Sequence, residues 1–160
     1  MKNKIMKRLL FMLILLLNGI ILNAQTKPSK QETIDWITAK IRENPRIEDL
    51  RHPGVYYTYS ITDNDQIRCS LISQRKVSFT STLTFSFNDI CSASFHENSK
   101  AINVTFKNLI KSKSDDGTTD EEDSWTFFIN PNAAPNMPER MLKAFKTLAE
   151  YNCPKVKEVY

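Results

Sequence analysis

Val77-Ser78-Phe79-Thr80-Ser81-Thr82-Leu83-Thr84-Phe85-Ser86-Phe87 alternates apolar and hydroxyl side chains with a period of two. Val77, Phe79, Leu83, Phe85 and Phe87 face one way, and Ser78, Thr80, Thr82, Thr84 and Ser86 face the other. That is the pattern of a strand with one face on a core and one in solvent. Each large apolar group contributes about 1.5–3 kcal/mol when buried, so this strand is the expected backbone of the core. Ser81, polar on the apolar face, marks the place for a bulge or bend.

The same period continues on both sides. Upstream, Val55, Tyr57, Tyr59 and Ile61 alternate with Tyr56, Thr58 and Ser60, and Asp63-Asn64-Asp65 turns the chain into Ile67, Cys69 and Leu71, which alternate with Arg68 and Ser70. Downstream, Asn88-Asp89 leads into Cys91, Ala93 and Phe95, and Glu97-Asn98-Ser99 leads into Ile102, Val104 and Phe106. A long polar segment separates these from the last strand, Trp125 to Asn130, and Pro131 and Pro135 end the sheet. Turns this short imply antiparallel pairing, because parallel strands need crossovers of about a dozen residues or more. Six or seven strands between 55 and 130 therefore form a meander, either a bent sheet or a partly open barrel.

A helix flanks the strands on each side, which makes the class α+β. The first is expected over 30–43: Ser29 caps it with Glu32 at capping-box spacing, Ile34, Ile37 and Ile41 share a face, and Asn44-Pro45 stops it. Residues 44 to 54 read as a polar connector. The second is expected over 138–152, with Pro138 in the first turn, a stripe of Met141, Phe145 and Leu148 flanked by Leu142 and Ala149, and Cys153-Pro154 at its end.

The first 24 residues read as an export signal. Lys2, Lys4, Lys7 and Arg8 precede an apolar run from Leu9 to Leu22, broken only by Asn18 and Gly19, and Leu22-Asn23-Ala24 offers a cleavage site before Gln25. The run is shorter than the roughly 20 residues a membrane helix needs. Leu22 is larger than the residue preferred three places before a cut, so an uncleaved anchor is the alternative. The segment holds four of the 22 basic residues and none of the 18 acidic ones. The remaining single domain, 25–160, thus carries 18 of each and a formal charge of zero, which removes the case for nucleic-acid binding. A periplasmic or extracellular location follows.

Cys69, Cys91 and Cys153 remain after cleavage. In an oxidising compartment two of them can pair, and the odd one stays free or joins another chain. Their apolar neighbours favour the plainer reading of core residues, and no CxxC supports a redox pair or a zinc site.

Chemistry-bearing patterns are sparse. His52 and His96 have no spacing that predicts convergence on a metal, and alternation sets His96 on the opposite side from Cys91, against a nucleophile-base pair. Residues 115 to 123 carry six carboxylates, but the segment lacks the ligand order of a helix-flanked calcium loop and reads as a solvated tip, with Lys111 and Lys113 at its entrance. The hydroxyl row through Thr80, Thr82 and Thr84 suits a polymer such as a glycan or peptide, and equally an ordinary solvated strand face. Trp36, off the isoleucine face of its helix, and Tyr56, on the solvated side of its strand, are candidate contact aromatics. With three glycines in the chain, phosphate loops are absent, as is a nucleophile-elbow serine. No catalytic, cofactor or metal residue is assigned.

A strand meander closed by a C-terminal amphipathic helix resembles the pleckstrin-homology architecture. The wording Lys30-Gln31-Glu32-Thr33-Ile34-Asp35-Trp36-Ile37 and Pro138-Glu139-Arg140-Met141-Leu142-Lys143-Ala144-Phe145 is similar to small exported proteins of gram-negative bacteria with no assigned function. The resemblance implies no catalytic residues. The expected role is a non-enzymatic binding or adaptor module of the cell envelope, engaging a protein, peptide or small ligand. The alternatives are an enzyme built on a thiol or carboxylate, or a structural oligomer joined through the odd cysteine.

Overall fold

The computed structural model describes residues 27–49, 52–74, 78–97, 101–130 and 133–154. The expected leader at 1–24, together with Gln25, Val77, Asn98-Ser99 and Pro131, lies outside the described residues. The order is α1 (Lys30–Glu43), β1 (Arg46–Glu48), β2 (Val55–Ile61), β3 (Gln66–Gln74), β4 (Ser78–Ser86), a 3-10 turn (Phe87–Asp89), β5 (Ile90–His96), β6 (Ala101–Ser114), β7 (Thr119–Phe128) and α2 (Met137–Asn152). The seven strands form one antiparallel sheet that does not close, with a helix from each end of the chain, so the class is α+β.

The capping box of α1 is formed: the Glu32 amide donates to Ser29 Oγ at 3.2 Å and the Ser29 amide to Glu32 Oε2 at 2.7 Å. These bonds hold the exposed Glu32 carboxyl below the usual carboxylate range. In α2, Met137, Met141, Phe145, Leu148 and Ala149 are buried.

Pairing runs in chain order from β1 to β4 and then departs from a simple meander. Ser81–Leu83 pair with Ser114–Ser112, and Ile90–His96 pair with Phe106–Ala101. Since β7 occupies the other edge of β6 in both halves, β4 and β5 share one edge. They act as a single long strand with a corner in it, facing a single long β6. The corner is the 3-10 turn, where the Asn88 amide donates to Ser86 Oγ at 3.1 Å and the Ser86 amide to Asp89 Oδ2 at 2.7 Å.

Several further expectations are corrected. Residues 46 to 48 are not connector but β1, paired with Tyr56–Thr58 and burying part of Ile47. The long polar segment is two strands, so the acidic run beyond Thr119 lies in β7 and the turn shrinks to four residues. Backbone pairing explains this where side-chain periodicity is silent: Lys111 faces Glu121 and Lys113 faces Thr119, which relieves like-charge repulsion. The Asp116 carboxylate accepts from Thr118 N at 2.9 Å and Thr118 Oγ1 at 2.6 Å, which keeps its pKa below the usual range, and Gly117 takes φ 88°. The last strand ends at Phe128, not Asn130. Ser81 sits in unbroken register opposite Leu71; the irregularities fall between Ile90 and Ser92 and between Thr105 and Ile110.

The inward faces of the strands meet α1 and α2 in a core centred on Ile67, Leu83, Phe85, Val104, Phe127 and Phe145. The gap between β2 and β7 is bridged by aromatic rings, with Tyr57 stacked on Phe128 at 4.0 Å and Tyr59 on Phe127 at 5.1 Å. The Phe128 amide donates to the buried Tyr59 hydroxyl at 2.9 Å. Cys91 of β5 and Cys153 at the end of α2 form a disulfide. This overturns their reading as unpaired core residues: α2 lies across β5, and that packing brings its last turn over the start of the strand. Asn152 Nδ2 adds bonds to the carbonyls of Phe87 at 2.8 Å and Ile90 at 2.7 Å. Cys69 does keep the core placement and is fully buried.

Candidate binding surface

Antiparallel partners project to the same side of a sheet, so the register assigns the outer face directly. Arg68 lies opposite Thr84, Ser70 opposite Thr82 and Ile72 opposite Thr80. Across the next pairing Thr82 lies opposite Lys113. Arg68, Thr80, Thr82, Thr84, Lys111 and Lys113 thereby surround one open trough of about 540 Å³, with Ser114 and Asp115 at its end. Tyr56 belongs to the same face, one strand further, opposite Ile72, with the Arg46 guanidinium 4.0 Å from its ring centre.

The cations of the trough form no ion pair, although Glu121 is the cross-strand neighbour of Lys111 on the same face. Arg68, Lys111 and Lys113 are exposed, and none makes an ion pair or side-chain hydrogen bond with another described residue. Lys111 and Lys113 stand about 7 Å apart along β6, and Arg68 is two inter-strand steps away, roughly 10 Å. At such separations each repulsive pair costs only about 0.4–0.6 kcal/mol in water, so the cluster is tolerated while empty. Of the hydroxyls, Thr82 shares a 2.9 Å hydrogen bond with Ser70. The Thr80 amide donates to Asp115 Oδ2 at 2.9 Å, and the Asp115 amide returns a bond to the Thr80 carbonyl at 3.0 Å. That carboxylate is thus held at one end of the trough by the Thr80 backbone.

Trp36 is not on this face. It is half-buried against the core on α1, with the Arg140 guanidinium of α2 5.3 Å from its ring centre. His96 ends β5, and His52 Nδ1 lies 2.9 Å from Asp49 Oδ2 in the turn before β2. Asp49 is buried at 3 % exposure and fixes the His52 ring. That pairing escaped the sequence reading, although the spacing of three residues is its signal. Among the described residues no group of three or more His, Cys, Asp or Glu side chains is arranged to hold a metal.

The chain matches no family model, no curated protein and no solved structure. Geometry alone therefore ranks the surfaces. The crevice at the β2–β7 seam, lined by Ile41, Ile47, Tyr59, Phe127, Met141 and Phe145, measures about 30 Å³ and admits nothing larger than a water. Cys69 is removed from solvent, and burial pushes its thiol well above its ordinary value, which keeps it protonated and inert. Buried in this way it also has no route to a second chain. No helix of the described residues is long and apolar enough to cross a membrane. The trough of β3, β4 and β6 has ligand-sized room; a second hollow of about 510 Å³ lies on α2, lined by Lys143, Lys146 and Thr147, but only the trough gathers its cations from strands distant in sequence.

Proposed function

We propose that this chain is an exported, non-enzymatic binding module of the cell envelope that engages its partner through the outer face of β3, β4 and β6. The observation that carries the reading is the gathering of Arg68, Lys111 and Lys113, without ion pairs, around Thr80, Thr82 and Thr84 in one trough. A solvated strand face needs no such convergence, and residues 43 apart in sequence reach it only through the register. The disulfide supports export, since such bonds persist in oxidising compartments. The thiol-enzyme alternative loses support because two of its three cysteines are bonded and the third is buried and protonated.

The test uses the protein recovered from its own cell envelope. Native mass spectrometry is expected to show retained mass on the parent chain and its loss from the variant Arg68→Gln/Lys111→Gln/Lys113→Gln, with circular dichroism confirming that the variant folds. Equal retention by both proteins, or a turnover activity abolished by one Cys, His or carboxylate substitution, would overturn the reading.

A further inference from the structure

We infer that the ligand of the trough is a linear polysaccharide bearing carboxylate groups, an inference that rests on the binding reading above. Three features of the trough point to this class.

The first is charge. Three cations, none in an ion pair, stand over the trough against two carboxylates on the same face: Asp115, bonded to the Thr80 amide at 2.9 Å, and Glu121, the cross-strand neighbour of Lys111 at the far edge of β6. The second is distribution. The cations stand roughly 7–10 Å apart on two different strands, so a single compact anion meets one or two of them, whereas a chain with a charge on successive units meets all three. Arg68 adds a planar fork suited to a carboxylate, and the lysines act as point charges.

The third feature separates a sugar chain from an acidic peptide. A peptide laid on a sheet gains most of its affinity by pairing with a free strand edge. Here β4 offers little edge at the centre of the trough: its full length pairs with β3, Ser81–Leu83 pair with β6 on the other side, and the Thr80 backbone is bonded to Asp115. What the floor offers instead is a row of hydroxyls at every second residue, Thr80, Thr82 and Thr84, each able to donate and accept. Their methyls supply small apolar patches between the hydroxyls, a surface matched to the hydroxyls and ring faces of a sugar. Asp115 repels anions at the tip end, so the chain is directed across Thr82 and Thr84 between Arg68 and the two lysines.

The experiment titrates the ¹⁵N-labelled chain lacking residues 1–24 with three probes of similar length: an oligogalacturonate, its fully methyl-esterified counterpart and polyglutamate. The expected result is that oligogalacturonate shifts amides of β3, β4 and β6, that binding strengthens as salt is lowered, and that Arg68→Gln, Lys111→Gln and Lys113→Gln each weaken it roughly three- to fivefold. The ester, with the same rings and no charge, is expected to leave those amides in place. Equal binding of the ester overturns the role of charge. Tighter binding of polyglutamate at the same amides overturns the polysaccharide while leaving the trough as the contact surface. Silence toward all three probes likewise overturns the polysaccharide, and the mass-retention comparison of the triple variant then decides the trough by itself.

Discussion

Cys69 and Tyr59 lie opposite each other on β3 and β2, both buried, and neither titrates like a surface group. Burial raises both well above their ordinary values of 9.0 and 10.0, and for Tyr59 desolvation outweighs the bond from the Phe128 amide. In the unfolded chain each loses its proton at the ordinary value, while the folded chain retains it. The unfolded state then binds fewer protons, so stability is full below about pH 9 and falls as pH rises beyond it. A melting series from pH 8 to 11 is expected to show that decline. Tyr59→Phe is expected to flatten its upper part while lowering neutral-pH stability by about 1–3 kcal/mol, because the Phe128 amide loses its acceptor. The same burial predicts that a thiol reagent at pH 8 titrates no cysteine in the folded protein and one after denaturation.

At the scale of elements, legibility in the sequence followed side-chain periodicity. β2, β3 and β4 carry alternating apolar residues and were readable, as were both helices from their caps and stripes. β1 is three residues long, too short for any period to show. The outer half of β6 and the acidic half of β7 pair through backbone while facing solvent on much of their surface, so Lys107 to Asp123 gives no alternation to read. The trough was half legible: its threonines lay on one predicted face, but Lys111 and Lys113 looked like companions of an acidic loop until β6 was set beside β4. Two predictions belong here. Gly117 has φ 88° with open space around the position of an added Cβ, so Gly117→Ala costs only backbone strain, about 1–2 kcal/mol, measurable by urea unfolding. Reducing the Cys91–Cys153 bond opens a 62-residue separation, and the chain-entropy argument gives a loss of about 4 kcal/mol. Amide exchange is expected to rise first in the last turn of α2.

For the whole molecule, charge is the instructive quantity. The formal charge of +4 belongs to residues 1–24, and the rest is neutral, with Arg68, Lys111 and Lys113 gathered at the trough and carboxylates along the neighbouring β7. A neutral protein with a local basic surface binds anions by arrangement and not by bulk attraction, so weak salt dependence overall is compatible with strong dependence at the trough. The leader reading makes a mass prediction as well: protein recovered from the envelope is expected to begin at Gln25, and intact mass spectrometry would show the full 160-residue chain instead if the leader is retained.

The sulfur bridge at the end of α2 also sets how the molecule bears force. Tension entering from the C-terminal side passes at Cys153 through the disulfide to Cys91 and so into β5, bypassing the helix. β5 runs antiparallel along β6, the strand that touches β4, β5 and β7. The load is therefore delivered to the sheet's most connected strand before α2 can peel from the core. A chain tethered to a surface by that end would hold its fold under pull and keep its trough, on the opposite side of the sheet from α2, turned outward.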